Sequence, residues 1–235
     1  MKRLRYYLLS LLLAATVLLT GCCSTHPPIG RTDSAIYVPN RADDVNPIMT
    51  GQMMPEMTLL SEDSTAFDLT AAMSEQPTVL VFYRGGWCPY CTKHLDQLQE
   101  IHPELIADGY QLIAVSPDRP EKLLARKEHS PIDFTLLSDS DMQAAISLGI
   151  AFRMAGPLVN TYRTQYKIDL EDASGHDHHL LPVPAIFIVG TDGVIQFSYV
   201  NPNYKIRIDP NYLVSVAHAA KEQHAARELQ ISTGE

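Results

Sequence analysis

The sequence predicts an α/β domain built on a central mixed sheet flanked by helices, and three observations carry the prediction. Short runs rich in β-branched and aromatic residues, at 78–83, 110–115 and 134–137, alternate with segments of helical periodicity. Two further runs, 185–189 and 194–200, are separated by Gly190-Thr191-Asp192-Gly193, a turn sequence that predicts an antiparallel hairpin. Strands joined through helices and a hairpin in one chain make the sheet mixed, with helices covering it.

In chain order, residues 57–60 read as a first strand and 69–73 as a short helix. Thr78-Val79-Leu80-Val81-Phe82-Tyr83, bounded by Pro77 and by Gly85-Gly86, reads as a buried strand. Leu95, Leu98, Ile101 and Leu105 then recur at helical spacing, with Pro103 placed to kink or end that helix. The strand at 110–115 leads past Pro117 and Pro120 into a helix over 121–128. After the strand at 134–137, Asp139-Ser140-Asp141 supply capping oxygens for a helix that stops at Gly149. Residues 152–172, which include Arg153, Tyr162, Arg163, Tyr166 and Lys167, are expected to form a helical cover long enough to act as a lid. The terminal hairpin is followed by a closing helix over 211–229.

The N-terminus has a different character. Lys2, Arg3 and Arg5 precede an apolar stretch from Leu8 to Leu19 that is too short to span a bilayer comfortably as a permanent helix. Residues 24–50 are rich in Ser, Thr, Pro, Asn and Asp, the composition of a linker. The expected organisation is a signal segment at 1–21, a tether at 22–50 and one folded domain at 51–235, a size that supports a substantial core. The net charge of −9 argues against nucleic acid as a partner, and removal of the three basic residues makes it more negative.

The chemistry lies at Trp87-Cys88-Pro89-Tyr90-Cys91, where a strand turns into a helix. With Cys88 at the N-cap, Pro89 falls at the first helical position, where its missing N–H is harmless and its fixed φ suits the helix. A sulfur at the cap is expected to accept N–H bonds from Tyr90 and Cys91 and to feel the positive end of the helix dipole, which favours the thiolate. A zinc half-site would need a second ligand pair, and the other cysteines, Cys22 and Cys23, belong to the N-terminal segment. A purely structural disulfide across so small a loop would remove little chain entropy. Cys88 and Cys91 are therefore read as a redox pair, with Arg84 close enough to stabilise a thiolate or a peroxide oxygen.

Two resemblances extend this reading. Leu19-Thr20-Gly21-Cys22 resembles the lipobox of bacterial lipoproteins, which implies cleavage before Cys22, a lipid on that cysteine and a domain tethered to a membrane on the extracytoplasmic side of the cell envelope. There disulfides persist, and a dithiol needs an external electron donor. Residues 82–91, Val115-Ser116-Pro117-Asp118, Phe134-Thr135-Leu136-Leu137-Ser138-Asp139 and residues 181–193 together resemble the peroxiredoxin-like branch of the alkyl hydroperoxide reductase/thiol-specific antioxidant (AhpC/TSA) family. The similarity covers about residues 50–225. It implies a thioredoxin-like fold, a thiol-dependent oxidoreductase without a bound cofactor, and a redox partner protein.

The resemblance leaves two assignments of the attacking sulfur. Aligned on thioredoxins, Cys88 attacks and Cys91 resolves; aligned on the peroxiredoxin motif, Cys91 is peroxidatic and Cys88 stands in the place of a threonine. Thioredoxin-fold proteins carry a cis Val-Pro peptide facing the dithiol, so Val183 and Pro184 are expected to offer an open backbone edge to a substrate disulfide, framed by Trp87 and Tyr90. Pro184 also stands where peroxiredoxins have an arginine, and the buried aspartate of thioredoxins falls at Phe82. These departures favour disulfide exchange led by Cys88, with hydroperoxide as the alternative substrate. His176, His178 and His179 supply a reading of another class, a metal-binding lipoprotein using the imidazoles and the dithiol.

Overall fold

The computed structural model describes residues 37–130 and 132–233, with side chains to residue 226. The calls that fall on residues 1–36, Cys22 among them, lie outside the described residues. The main sheet has seven strands, in the order β2-β1-β5-β4-β3-β8-β9. They are β1 (Thr58–Ser61), β2 (Ala66–Asp68), β3 (Thr78–Phe82), β4 (Gln111–Ser116), β5 (Thr135–Ser138), β8 (Ala185–Val189) and β9 (Ile195–Val200). β3, β4 and β5 run parallel, while β8 pairs antiparallel with both β3 and β9. The mixed sheet and the terminal hairpin are those the sequence predicts.

Alternation along each strand divides the interior. Val79, Val81, Leu112, Ala114, Leu136, Ile186 and Ile188 face one side, with α2 (Pro89–Ala107), α3 (Pro120–His129) and α7 (Pro210–Thr233). Leu80, Phe82, Ile113, Val115, Leu137, Phe187 and Val189 face the other, with α1 (Leu69–Glu75) and α4 (Gln143–Ser147). All five residues of β3 are buried, as a central strand covered on both faces requires. Each large apolar side chain so buried contributes about 1.5–3 kcal/mol.

Several local expectations are corrected. Pro103 neither ends nor replaces α2, which continues to Ala107; the helix is held by Leu95, Leu98 and Leu105, all without exposed surface. The cap at 139–141 works at longer reach than expected: Asp139 accepts from Ala144 N and Ala145 N at 2.9 Å each, while Met142, in the left-handed region, is the N-cap residue of α4. Residues 37–50 are tied to the domain rather than free of it: Arg153 N donates to Pro39 O, Ile48 N to Leu148 O and Gly51 N to Ile195 O. Gly149 permits this contact, since at φ +66° a Cβ there would stand 2.0 Å from Asn46 O.

The connection at 151–182 forms its own layer. It comprises β6 (Ala151–Arg153), α5 (Gly156–Thr161), a π-helical turn (Tyr162–Tyr166), α6 (Leu170–Ser174) and β7 (Leu180–Pro182), the two strands pairing antiparallel as a second sheet. Met154, Val159, Tyr162, Leu170 and Leu181 make a satellite core packed against Trp87. The expected helical cover is present and sits over the dithiol turn.

Candidate active site

Cys88 is the N-cap of α2 and Pro89 its first residue. Cys88 N donates to Gly85 O at 3.2 Å, which closes the turn between β3 and α2. Gly85 is required here: at φ +137° a Cβ would lie 2.3 Å from Trp87 Nε1 and 2.8 Å from Asp118 Oδ1. The expected capping bonds to the sulfur are absent; Cys91 N and Thr92 N instead donate to Cys88 O at 2.9 and 3.0 Å. The stabilisation of the thiolate therefore comes mainly from elsewhere.

It comes from the pair and from two arginines. A hydrogen bond from the Cys91 thiol, with smaller help from the neighbouring Cys91 N–H and the charges of Arg84 and Arg207, lowers Cys88 to about 6. Cys91 is pushed up, because it is the donor in that bond and is buried beside the Cys88 charge. One proton shared by the pair thus resides on Cys91 at neutral pH. Both thiols are reduced and buried, Cys88 being 1% exposed and Cys91 fully covered.

Arg84 is buried in an aromatic cage. Its guanidinium lies 4.0 Å from the Tyr204 ring centre, 5.1 Å from Trp87 and 5.7 Å from Tyr162, and Nη2 donates to Tyr162 Oη at 2.7 Å. No carboxylate pairs with it among the described residues, so the Cys88 thiolate is the anion nearest in role to a counter-charge. Arg207 approaches from the segment between β9 and α7, where Nη1 donates to the carbonyls of Tyr204 and Ile206 and Nη2 donates to Cys91 Sγ at 3.3 Å.

A family model described as the AhpC/TSA family matches residues 50–198, which contain the dithiol turn. The chain belongs to the AhpC/TSA family. Peroxiredoxin Bcp of Escherichia coli K12 is 30% identical over 137 residues, 58% of this chain and 86% of that one. The fold is similar to that of peroxidoxin BcpB from Mycobacterium tuberculosis (TM-score 0.57, 20% identity, 75% of this chain and 97% of the other). It is also similar to reduced Prx3 in complex with H2O2 from Vibrio vulnificus (TM-score 0.60, 18% identity, 72% and 99%). As a member of the AhpC/TSA family, the chain is a thiol-dependent oxidoreductase.

Within this AhpC/TSA domain the remaining sequence-predicted residues separate. Trp87 packs edge-to-face on Tyr162 at 5.9 Å, and Tyr90, 42% exposed, packs on Tyr204 at 5.7 Å. Val183 and Pro184 do not form the predicted open edge. The described residues contain no cis peptide, so the bond between them is trans. Val183 N donates to Ile150 O at 2.8 Å and Pro184 O accepts from Asn201 N at 3.1 Å, which leaves no free backbone pair for a substrate strand. Pro184 instead borders a small void with His94 and Arg207.

The histidine run does not support a metal site. His178 Nε2 engages Ser140 O at 2.8 Å and His179 Nε2 engages Glu171 at 2.9 Å. Among the described residues, no group of three or more His, Cys, Asp or Glu side chains is arranged to hold a metal ion. Two functional residues escaped sequence reasoning. Arg207 lies 116 positions from the cysteine it touches and carries no local motif. Asp118 stands in Val115-Ser116-Pro117-Asp118, a motif that carries the family resemblance without assigning this side chain a role; it is buried, it accepts from Gly86 N at 2.6 Å, and burial pushes it up to about 6.

Proposed function

We propose that this AhpC/TSA domain is a dithiol hydroperoxide reductase in which Cys88 attacks and Cys91 resolves. The observation that carries the reading is a covered dithiol at the start of α2, with Cys88 1% exposed, Arg84 buried close by in its aromatic cage and Arg207 Nη2 3.3 Å from Cys91 Sγ; the Cys91 thiol and the two cations favour the Cys88 thiolate. In the reduced form the Cys88 sulfur is covered, at 1% exposure, and the Val183 N–H and Pro184 carbonyl that would receive a substrate strand are already bonded to Ile150 O and Asn201 N. A small peroxide needs far less room, and the cations of Arg84 and Arg207 are suited to the charge that develops on its leaving oxygen.

The Cys88 thiolate attacks one peroxide oxygen, the O–O bond breaks, and the leaving oxygen takes a proton as water or an alcohol. Cys88 is then a sulfenic acid. Cys91 attacks that sulfur, its thiol proton leaves with the hydroxyl as water, and the Cys88–Cys91 disulfide remains to be reduced by two electrons from a thiol donor. Stopped-flow mixing of the reduced domain with hydrogen peroxide and an organic hydroperoxide tests this. Oxidation far faster than that of a free thiol, with a trappable sulfenate on Cys88 in Cys91→Ser, is expected. Oxidation at free-thiol rates refutes the peroxidase reading and leaves disulfide exchange.

One observation favours a second assignment: Arg207 contacts Cys91 and not Cys88. If Cys91 leads, the sulfenate forms on Cys91 in Cys88→Ser and Cys91→Ser is inert to peroxide.

The proposal extends to location. Leu19-Thr20-Gly21-Cys22 supports a lipid on Cys22 and work on the extracytoplasmic side of the envelope. Fatty-acid labelling of the full chain, lost together with membrane association in Cys22→Ser, is expected; label that persists in that variant overturns it.

A further inference from the structure

We infer that Asp118 is a positioning residue of the dithiol, which clamps the Gly85–Gly86 turn in front of Cys88 and sets a second negative charge against the Cys88 thiolate. The inference rests on the preceding reading only in taking Cys88 as the thiolate of the pair. The sheet brings the parts together. β3 and β4 run parallel in a register that pairs Phe82 with Val115, and Tyr83 N donates to Val115 O at 3.0 Å. The two strands thus end level, and the segments that follow them meet: one carries Gly85-Gly86-Trp87-Cys88, the other Pro117-Asp118.

Asp118 is 3% exposed and lies against the turn itself. Its Oδ2 accepts from Gly86 N at 2.6 Å, and the bare glycines let the carboxylate come this close: a Cβ on Gly85 would stand 2.8 Å from Oδ1, and one on Gly86 3.5 Å from Oδ2. Gly86 N belongs to the same planar peptide unit as Gly85 O, which accepts from Cys88 N at 3.2 Å. One peptide is therefore held by Asp118 at its N–H and holds the N-cap of α2 with its carbonyl. A bond to a carboxylate is about twice as strong as one to a neutral acceptor, and it polarises the peptide toward the second bond.

The charge has little to offset it. Oδ1 is buried without a hydrogen-bond partner. Lys122, the cation that acts on Asp118 from α3, is paired with Asp172 at 2.5 Å. The Gly86 N–H and the Ser116 hydroxyl favour the charged form, while Tyr83, just beyond β3, is kept a neutral phenol by burial first and by the Asp118 charge second. Burial pushes Asp118 up to about 6, and the Cys88 charge adds to the rise. Coupling between two sites is reciprocal, so ionised Asp118 raises Cys88 through the same interaction. It opposes the Cys91 hydrogen bond and the arginine charges that lower Cys88, and so keeps a thiolate that is abundant at neutral pH from losing nucleophilicity.

Alkylation of the reduced protein by iodoacetamide reads the Cys88 thiolate with no peroxide present. Asp118→Asn keeps a carbonyl for Gly86 N and loses the charge; the Cys88 midpoint should fall by about half a unit, so that alkylation runs about twofold faster at pH 5.5 and at an unchanged rate at pH 8. A residue that served packing alone would leave the midpoint in place or raise it. Asp118→Ala removes the clamp as well, and the Gly86 amide should exchange about tenfold faster than in Asp118→Asn, as hydrogen exchange followed by NMR will show. The reciprocal measurement needs no change at Asp118: the Gly86 amide resonance should titrate near pH 6 in the reduced wild type and about half a unit lower in Cys88→Ser. A Cys88 midpoint in Asp118→Asn at or above that of wild type, equal Gly86 exchange in the two Asp118 variants, or an unshifted Gly86 midpoint in Cys88→Ser would each overturn the inference. The expected shifts in a protein that peroxide oxidises slowly would sink the peroxidase reading alone.

Discussion

Replacing Cys91 with alanine removes the hydrogen-bond donor that does most to hold Cys88 at about 6. An ordinary cysteine titrates near 8.5, so at pH 7 about nine-tenths of Cys88 is thiolate where about 3% would otherwise be. A hydrogen bond to a charged group contributes about 1.5–3 kcal/mol, or about 1–2 pKa units. Cys91→Ala should therefore move the Cys88 midpoint to about 7–8, while Cys91→Ser, which retains a hydroxyl donor, should move it less. The assay is the pH dependence of alkylation rate together with thiolate absorbance near 240 nm. A midpoint that stays at 6 in Cys91→Ala would refute the reasoning and pass the whole effect to Arg84, Arg207 and the helix terminus.

Three further outcomes are expected. Arg207→Met should slow disulfide closure about tenfold while raising the Cys88 midpoint by only about half a unit, since its guanidinium contacts Cys91; rapid-quench mass spectrometry separates the two steps. Gly149→Ala places a Cβ against Asn46 O and should cost about 2–4 kcal/mol, read as a lower Tm and as new proteolysis near residue 46. A thiol whose folded pKa is depressed stabilises the reduced protein above its unfolded pKa and loses that contribution as pH falls through 6. The stability gap between reduced wild type and Cys88→Ser should accordingly be about 3 kcal/mol near pH 9 and close by pH 5, as denaturant midpoints across pH will show.

The strands and the dithiol turn were legible because they are local: five consecutive buried residues in β3 and a proline one place after Cys88 leave their mark in adjacent positions. What sequence could not show was set by distance. Arg207 reaches Cys91 only because β9 returns beside β8 and the following segment crosses the start of α2. β6 and β7 are three residues each, too short to carry a period, and they exist because Phe152 and Leu181 pair across 29 positions. Val183-Pro184 misled for the opposite reason. The dipeptide is local, but its backbone is bonded to Ile150, just before β6, and to Asn201, just after β9, both distant in sequence.

The same charges that activate Cys88 also set how readily its disulfide is reduced. Oxidation removes the thiolate and leaves Arg84 buried among rings with its positive charge uncompensated, so the reduced form is favoured. Lowering one thiol from about 8.5 to about 6 stabilises the reduced state at pH 7 by about 1.4 kcal/mol, equivalent to about 30 mV for two electrons. The effect vanishes below pH 6, where neither thiol would ionise, and grows toward pH 8. Equilibration against a thiol–disulfide buffer at pH 5.5 and pH 8 should therefore show Arg84→Met becoming harder to reduce than wild type only at the higher pH. An equal offset at both values would mean that Arg84 acts through packing of Trp87, Tyr162 and Tyr204 rather than through its charge.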